Sequence, residues 1–77
     1  MNQQDKFVYK INIKSISDVI SFTKTAVSCR YDVSLVNGKH KLNAKSYLGV
    51  ALARASWDEI YVEAEVDCYF DFEKFIT

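Results

Sequence analysis

Serine and histidine are the residues of this sequence that could accept or transfer a phosphoryl group. Ser46 stands directly before a short apolar run, Ser15 and Ser17 precede an earlier one, and His40 is the single histidine. A serine before a helix caps its free backbone N–H groups, and a phosphoserine there interacts favourably with the helix dipole. A lone histidine in a strand is more often a surface residue than a catalyst. Helix capping is therefore the role that these residues by themselves predict for a serine.

Charge and cysteine spacing argue against two other classes of function. The 77 residues include ten basic and ten acidic residues, so the formal net charge is zero. A protein that follows nucleic-acid phosphates carries a net basic face, and no nucleic-acid partner is expected. Cys29 and Cys68 are not spaced as C-x-x-C, and the sequence has a single histidine that could join them as a metal ligand. No metal site and no cofactor are therefore expected.

The sequence also predicts a cellular compartment. The start of the chain as far as Lys6 is polar, which does not fit a signal peptide. No apolar run reaches the roughly 18 residues that a membrane span needs. We expect a cytoplasmic protein, with no membrane partner and with both thiols reduced and structural.

Hydrophobic periodicity predicts four strands in one domain over residues 1–77. Proline is absent and glycine occurs twice, so few tight turns are expected. Alternation of apolar and polar residues indicates strands at 7–14, 31–35, 39–43 and 59–66. Asn37-Gly38 between the second and third strands is a strong hairpin signal.

Helical spacing of apolar residues predicts three helices, at 18–29, 46–53 and 67–77. Ser17 or Asp18, Ser46 and Asp67 are the expected N-caps, and Ser15 is expected to satisfy amides in the preceding loop or first turn. The order β-α-β-β-α-β-α predicts an α+β open-faced β-sandwich. Its four-stranded antiparallel sheet has one face in water and one covered by three helices.

The segment Asn43-Ala44-Lys45-Ser46-Tyr47-Leu48-Gly49-Val50, with a later strand ending Glu63-Ala64-Glu65, resembles the HPr family. HPr is the histidine-containing phosphocarrier protein of the bacterial phosphoenolpyruvate-dependent sugar phosphotransferase system. The order of elements and the Asn-Gly turn are also similar to that family. The resemblance implies an HPr-like domain over the whole chain and a role connected with sugar transport or carbon catabolite regulation.

The phosphocarrier motif of that family is missing. Aligned on Phe22 without gaps, Ser15 occupies the place of the phosphorylated histidine, Ser17 that of the arginine and Asp18 that of the proline. A serine hydroxyl titrates far above neutral pH and does not accept and release phosphate as imidazole does. Loss of the arginine removes the charged group that holds phosphate oxygens. The resemblance therefore implies a non-enzymatic regulatory or adaptor protein.

The resemblance also implies site residues and partners. The serine matched by Ser46 is phosphorylated in relatives by HPr kinase/phosphorylase. Tyr47, Leu48 and Ala51 match the apolar patch through which relatives bind other proteins. The implied partners are that kinase, a catabolite-control transcription regulator and proteins of the phosphotransferase system.

Several alternatives stay open. Ser46 can be a helix cap and nothing more, and Leu48 and Ala51 can pack inward and leave Tyr47 alone exposed. An active phosphocarrier and a degenerate paralogue that serves only as a binding domain are the other functions. Phe70 and Phe72 cannot share one helical face, so exposed aromatic surface suggests a weak homodimer.

Overall fold

Four strands and two α-helices make up most of residues 6–77, which are the residues described by the structure, a computed structural model. In chain order they are β1 (Phe7–Ile11), α1 (Ile16–Ser28), β2 (Val33–Asn37), β3 (His40–Asn43), α2 (Tyr47–Ser56) and β4 (Ile60–Ala64), followed by a 3₁₀ helix (Glu73–Phe75). Residues 1–5, on which the expectation of a polar start without a signal peptide rests, lie outside the described residues.

The strands form one open sheet in the order β1-β4-β2-β3, and every neighbouring pair is antiparallel. Alternation along β4 buries Ile60, Val62 and Ala64 and turns Tyr61 and Glu63 to the other face, as the sequence pattern predicts. An α+β open sheet with one uncovered face is thus confirmed.

The uncovered face of the sheet is crossed by ion pairs. The Glu63 carboxylate lies 3.3 Å from the Lys41 ammonium and 3.9 Å from that of Lys6, and Lys10 lies 3.6 Å from Glu59. Exposed pairs of this kind contribute little to stability. They do place positive charge around the half-buried Glu63, and they pair charged side chains of this face with one another.

The β2–β3 hairpin turns at Gly38-Lys39, one residue later than predicted. Asn37 pairs with His40, and Gly38 has a φ of +59°, which glycine adopts without a steric penalty. A positive φ at the first loop position is typical of a type II′ turn. Asn37 belongs to β2, and its side-chain amide donates to the Glu59 carbonyl oxygen at 2.7 Å.

The core lies between the sheet and the helices. α1 buries Val19, Phe22 and Ala26, and α2 buries Val50 and Ala53. The two helices run side by side over the sheet, with α2 next to β3. Phe22 is the aromatic ring that α1 buries completely.

The predicted third helix over 67–77 is wrong. Residues 69–71 form a turn and Glu73–Phe75 form one 3₁₀ turn, so two α-helices rather than three cover the described sheet. Backbone pairing with β1 explains the difference, since the Asn12 N–H donates to the Phe75 carbonyl at 2.8 Å and the Thr77 N–H to the Lys10 carbonyl at 3.1 Å. A chain that pairs with a strand edge cannot at the same time continue an α-helix.

Aromatic packing holds the C-terminal segment against α1. The ring centroid of Phe22 lies 4.7 Å from that of Phe72 and 5.1 Å from that of Phe75. Phe72 is fully buried, whereas Phe70 is 82% exposed. The two side chains differ in exposure as expected, but they do so on a turn and not on the helix from which the expectation was derived.

Replacing Phe72 by Ala should lower the free energy of unfolding by about 3–5 kcal/mol, because it removes the ring that closes the core over Phe22. Phe70→Ala is the matched control, with an expected change within about 0.5 kcal/mol. Chemical denaturation in dilute solution measures both. Equal losses in the two variants would contradict this account of the core.

Candidate functional site

Ser46 is the N-cap of α2. Its Oγ accepts a hydrogen bond from the Gly49 N–H at 3.1 Å, and the side chain is half-buried. The turn is tight, because a Cβ on Gly49 would stand 2.9 Å from the Asn43 carbonyl oxygen. The predicted cap is confirmed, and glycine at position 49 lets the chain enter the helix this closely.

Lys45 does not face the Ser46 hydroxyl. Its ammonium donates to the Cys29 carbonyl oxygen at 3.1 Å, at the C-terminal end of α1. A cation is favourable there because the carbonyl groups at a helix end carry partial negative charge. Lys45 therefore ties the start of α2 to the end of α1.

Ser15, not Ser17 or Asp18, is the N-cap of α1, so the helix begins at Ile16 rather than at 18. The Ser15 Oγ accepts from the Asp18 N–H at 3.2 Å, and the Asp18 carboxylate accepts from the Lys14 N–H at 2.9 Å. The two side chains together satisfy the free amides in the manner of a capping box. Ser17 is exposed.

The start of α1 thus carries its own anion. The Asp18 carboxylate bonds to a backbone amide at the helix N-terminus, which is where a phosphate would otherwise bind. The Ser15 hydroxyl is engaged as the cap.

The structure does not bring Ser15 and Ser46 together. The Arg54 guanidinium, near the end of α2, donates to the Lys14 carbonyl oxygen at 3.0 Å, next to the start of α1. Lys45, at the start of α2, reaches the end of α1. The helices are therefore antiparallel, and the two serines lie at opposite ends of the pair.

The outer surface of the two helices is apolar and exposed. Leu48 is 77% exposed and Tyr47 is 43% exposed, while Ala51 is half-buried and packs against the core. Of the three residues expected to bind partners, two face solvent. We call the exposed apolar set the helix face: Ile16, Ile20 and Val27 of α1, and Tyr47, Leu48 and Leu52 of α2.

Sequence reasoning missed four residues of the helix face, namely Ile16, Ile20, Val27 and Leu52. The apolar arc of α1 is wider than its contact with the core. Phe22 and Val19 occupy that contact, and the other side of the arc remains in solvent. The apolar residues of the helix, taken together with Phe22, span an arc too wide for one buried face, and this was the signal in the sequence.

A shallow groove crosses the helix face between the helices. Ile20, Thr23, Val27 and Tyr47 line it, and its volume is about 320 Å³. Lys24 and Ser28 complete its walls.

Charge is unevenly distributed over the fold. Residues 14–30 and 45–57, which include both helices, carry five basic residues and one acidic residue, Asp18. Residues 58–73 carry seven acidic residues and no basic one. The helix side of the molecule is therefore basic, although the whole chain is neutral.

Two tyrosines fix the acidic C-terminal segment. The Tyr9 hydroxyl donates to the Asp67 carboxylate at 2.7 Å, and this hydrogen bond raises the pKa of Tyr9 to about 12. The Tyr31 hydroxyl donates to Asp71, and desolvation followed by this bond raises the pKa of Tyr31. Both phenols are therefore neutral donors at physiological pH.

The Cys68 thiol is not an activated nucleophile. Burial raises the pKa of the Cys68 thiol to about 11, and reactive thiols have lowered pKa values. Cys29 and Cys68 are both free. Within residues 6–77 no group of three His, Cys, Asp or Glu side chains is arranged to hold a metal ion.

Comparison of the chain with protein-family models, with curated proteins and with solved structures finds no match. The resemblance to HPr accordingly depends on the Ala44-Lys45-Ser46 segment and on the order of elements as far as β4. Among the helices that the structure describes, none is both long and apolar enough to span a bilayer.

Replacing Ser15 by Ala should lower the free energy of unfolding by about 1 kcal/mol, because the Asp18 N–H loses its acceptor. Ser17→Ala, at an exposed position two residues away, is the control and should change stability by less than about 0.5 kcal/mol. Thermal and denaturant unfolding both report the difference. A larger effect at Ser17 than at Ser15 would contradict the assignment of the cap.

Proposed function

We propose that this chain is a non-catalytic adaptor of HPr type that binds a partner protein through the helix face. The observation that carries the proposal is the exposure of six large apolar side chains on two neighbouring helices. Exposed apolar surface on this scale is typical of a protein-binding site. Tyr47 beside Leu48 is a suitable anchor, since aromatic side chains are enriched among residues that dominate binding energy.

The charges around the helix face indicate the chemistry of the partner. Lys24 stands at the edge of the groove. Three further basic residues are exposed within the two helices or just beside them in the sequence, namely Lys14, Arg30 and Arg54. Charges at the rim of an interface direct association and select partners of opposite sign. The occupant we propose is an apolar segment of a partner protein flanked by acidic residues.

Ser46 is the residue through which binding would be regulated. A phosphate of about −2 charge on Ser46 would stand at the N-terminus of α2, where backbone N–H groups and the helix dipole favour it. It would also stand next to Tyr47, within the helix face. Phosphorylation would therefore repel an acidic partner and leave the fold intact.

The two alternative functions differ from this proposal at defined residues. Phosphocarrier activity would need an acceptor at the start of α1, where the Ser15 hydroxyl is engaged as a cap and Asp18 already supplies an anion. That arrangement gives the alternative no support. A paralogue that only binds proteins shares the helix face but lacks regulation at Ser46.

Partner binding can be mapped by titrating the isotope-labelled chain with purified HPr kinase/phosphorylase, Enzyme I and the catabolite-control regulator in turn. We expect at least one of them to change the amide NMR signals of the helix face. Leu48→Ser should weaken that binding at least tenfold, since it removes the most exposed large apolar side chain of α2. Val8→Ser, on the sheet edge, should leave it unchanged.

Binding confined to the uncovered sheet face, or no binding to any of the three proteins, would overturn the assignment. Enzyme I with labelled phosphoenolpyruvate provides a further arm. We expect no acid-labile label on the chain. Its appearance would favour the phosphocarrier alternative.

Incubation with HPr kinase/phosphorylase and ATP should phosphorylate the wild-type chain and Ser56→Ala but not Ser46→Ala. Ser56 is an exposed serine at the end of α2 and controls for nonspecific labelling. The phosphorylated chain should bind its partner at least tenfold more weakly. Equal labelling of Ser46→Ala and the wild type, or none of either, would exclude the proposed regulation.

A further inference from the structure

Phe70 is an apolar side chain presented to solvent on a fixed turn. It is 82% exposed, more than any other large apolar side chain in residues 6–77. The centroid of its ring lies 5.2 Å from that of Tyr69, and the two rings are nearly perpendicular. The ring centroid of Tyr69 in turn lies 5.4 Å from that of Tyr9. The hydrogen bonds from Tyr9 and Tyr31 to the carboxylates of this segment hold the turn in place. Binding through Phe70 would therefore require little ordering of the chain.

The surroundings of Phe70 are acidic. Asp67 and Asp71 lie on the same turn, Glu73 follows, and Glu65 precedes it, all of them exposed. An exposed aromatic ring among carboxylates is complementary to an apolar groove that has a basic residue at its edge.

The groove on the helix face is the complementary surface. It is lined by Ile20, Val27 and Tyr47 together with Thr23, Lys24 and Ser28, and nearly all of its exposed lining is apolar. Lys24 lies on its wall, while Arg30 and Lys45 follow and precede groove residues in the chain. Its volume of about 320 Å³ is ample for one phenyl ring.

Phe70 does not fill the groove of its own molecule, since its ring is 82% exposed and is not among the residues that line the groove. α2 lies over β3 at one edge of the sheet, and the C-terminal segment pairs with β1 at the other edge. α1 stands between them, since it contacts α2 and its Phe22 packs on Phe72 and Phe75. The contact is available only between two molecules.

We propose that this chain associates with a second copy of itself by insertion of Phe70 into the groove between α1 and α2. The acidic residues around Phe70 then face Lys24 and Arg30 of the second copy. The surface covered is small compared with the ~1,200 Å² of a stable interface, so association is weak and rises with concentration. The contact does not depend on the proposed function. Where both hold, a second copy and a partner protein compete for Tyr47.

Sedimentation velocity over a wide range of concentrations tests the contact. The wild type should show an average mass that rises with concentration and falls again when salt is added. Phe70→Ser should weaken association at least tenfold while its circular dichroism stays native. Val66→Ser, an exposed apolar position in the same acidic segment, should behave as the wild type.

A mixing experiment separates the two halves of the contact. Val27→Glu places a carboxylate in the groove but leaves Phe70 intact, and Phe70→Ser leaves the groove intact. Each variant alone should be monomeric, and an equimolar mixture should associate, because one supplies the ring and the other the groove. A wild type that stays monomeric at every concentration, or a mixture that does not associate, would overturn the proposal.

The two proposals can fail independently. Leu48→Ser lies outside the groove and should leave self-association unchanged while it weakens partner binding. Phe70→Ser should have the opposite pattern, since partner binding on the helix face does not involve that ring. Loss of self-association in Leu48→Ser but not in Phe70→Ser would show that the copies meet elsewhere.

Discussion

The packing of Phe22 against Phe72 and Phe75 is the contact on which the rest of the fold depends. A chain of this length buries only about 60% of its unfolded surface, so a few large side chains must fill its core. α1 contributes one buried ring, and the C-terminal segment contributes two. The segment places both rings in the core by leaving helical geometry and pairing with the edge of β1. The core and the missing third helix are therefore consequences of the same requirement.

The same contact decides which surface stays in solvent. Because α1 turns Phe22 inward and toward the C-terminal segment, the opposite side of its apolar arc cannot also reach the core. Ile16, Ile20 and Val27 are left exposed beside the exposed residues of α2. The helix face is thus produced by the way the core is closed. Its size follows from the presence of two helices over a four-stranded sheet, since residues 6–77 include no third α-helix that could cover α1.

The strands could be predicted from the sequence because they depend on local alternation. β4 alternates with a period of two, and the hairpin was displaced by a single residue. The N-cap Ser46 could also be predicted, since a serine before an apolar run has few other roles. The N-cap of α1 could not be predicted, because Ser15, Ser17 and Asp18 are all good caps. The choice depends on the hydrogen bond that the Asp18 carboxylate accepts from the Lys14 N–H.

Long-range contacts account for the features that the sequence did not reveal. The spacing of Phe72 and Phe75 fits an α-helix as well as a 3₁₀ turn, and the pairing of Thr77 with Lys10 decides between them. The exposed position of Leu48 likewise depends on which side of α2 meets the core. Val50 and Ala53 lie on the side of α2 that faces the core, and Leu48 lies on the exposed side.

The net charge of zero belongs to the whole chain, whereas the helix side is basic and residues 58–73 are acidic. Electrostatic interactions between exposed groups fall off over about 8 Å at physiological ionic strength, so a partner on the helix face responds to the basic residues near it. Of the seven acidic residues of 58–73, Asp58 and Glu59 lie between α2 and β4, Glu63 lies in β4, and the other four lie in the C-terminal segment, away from the groove. A partner that suits the helix face must therefore resemble that acidic segment in charge, with an apolar group at its centre. Phe70 among its carboxylates meets this description, which is why a partner protein and a second copy would compete for one surface.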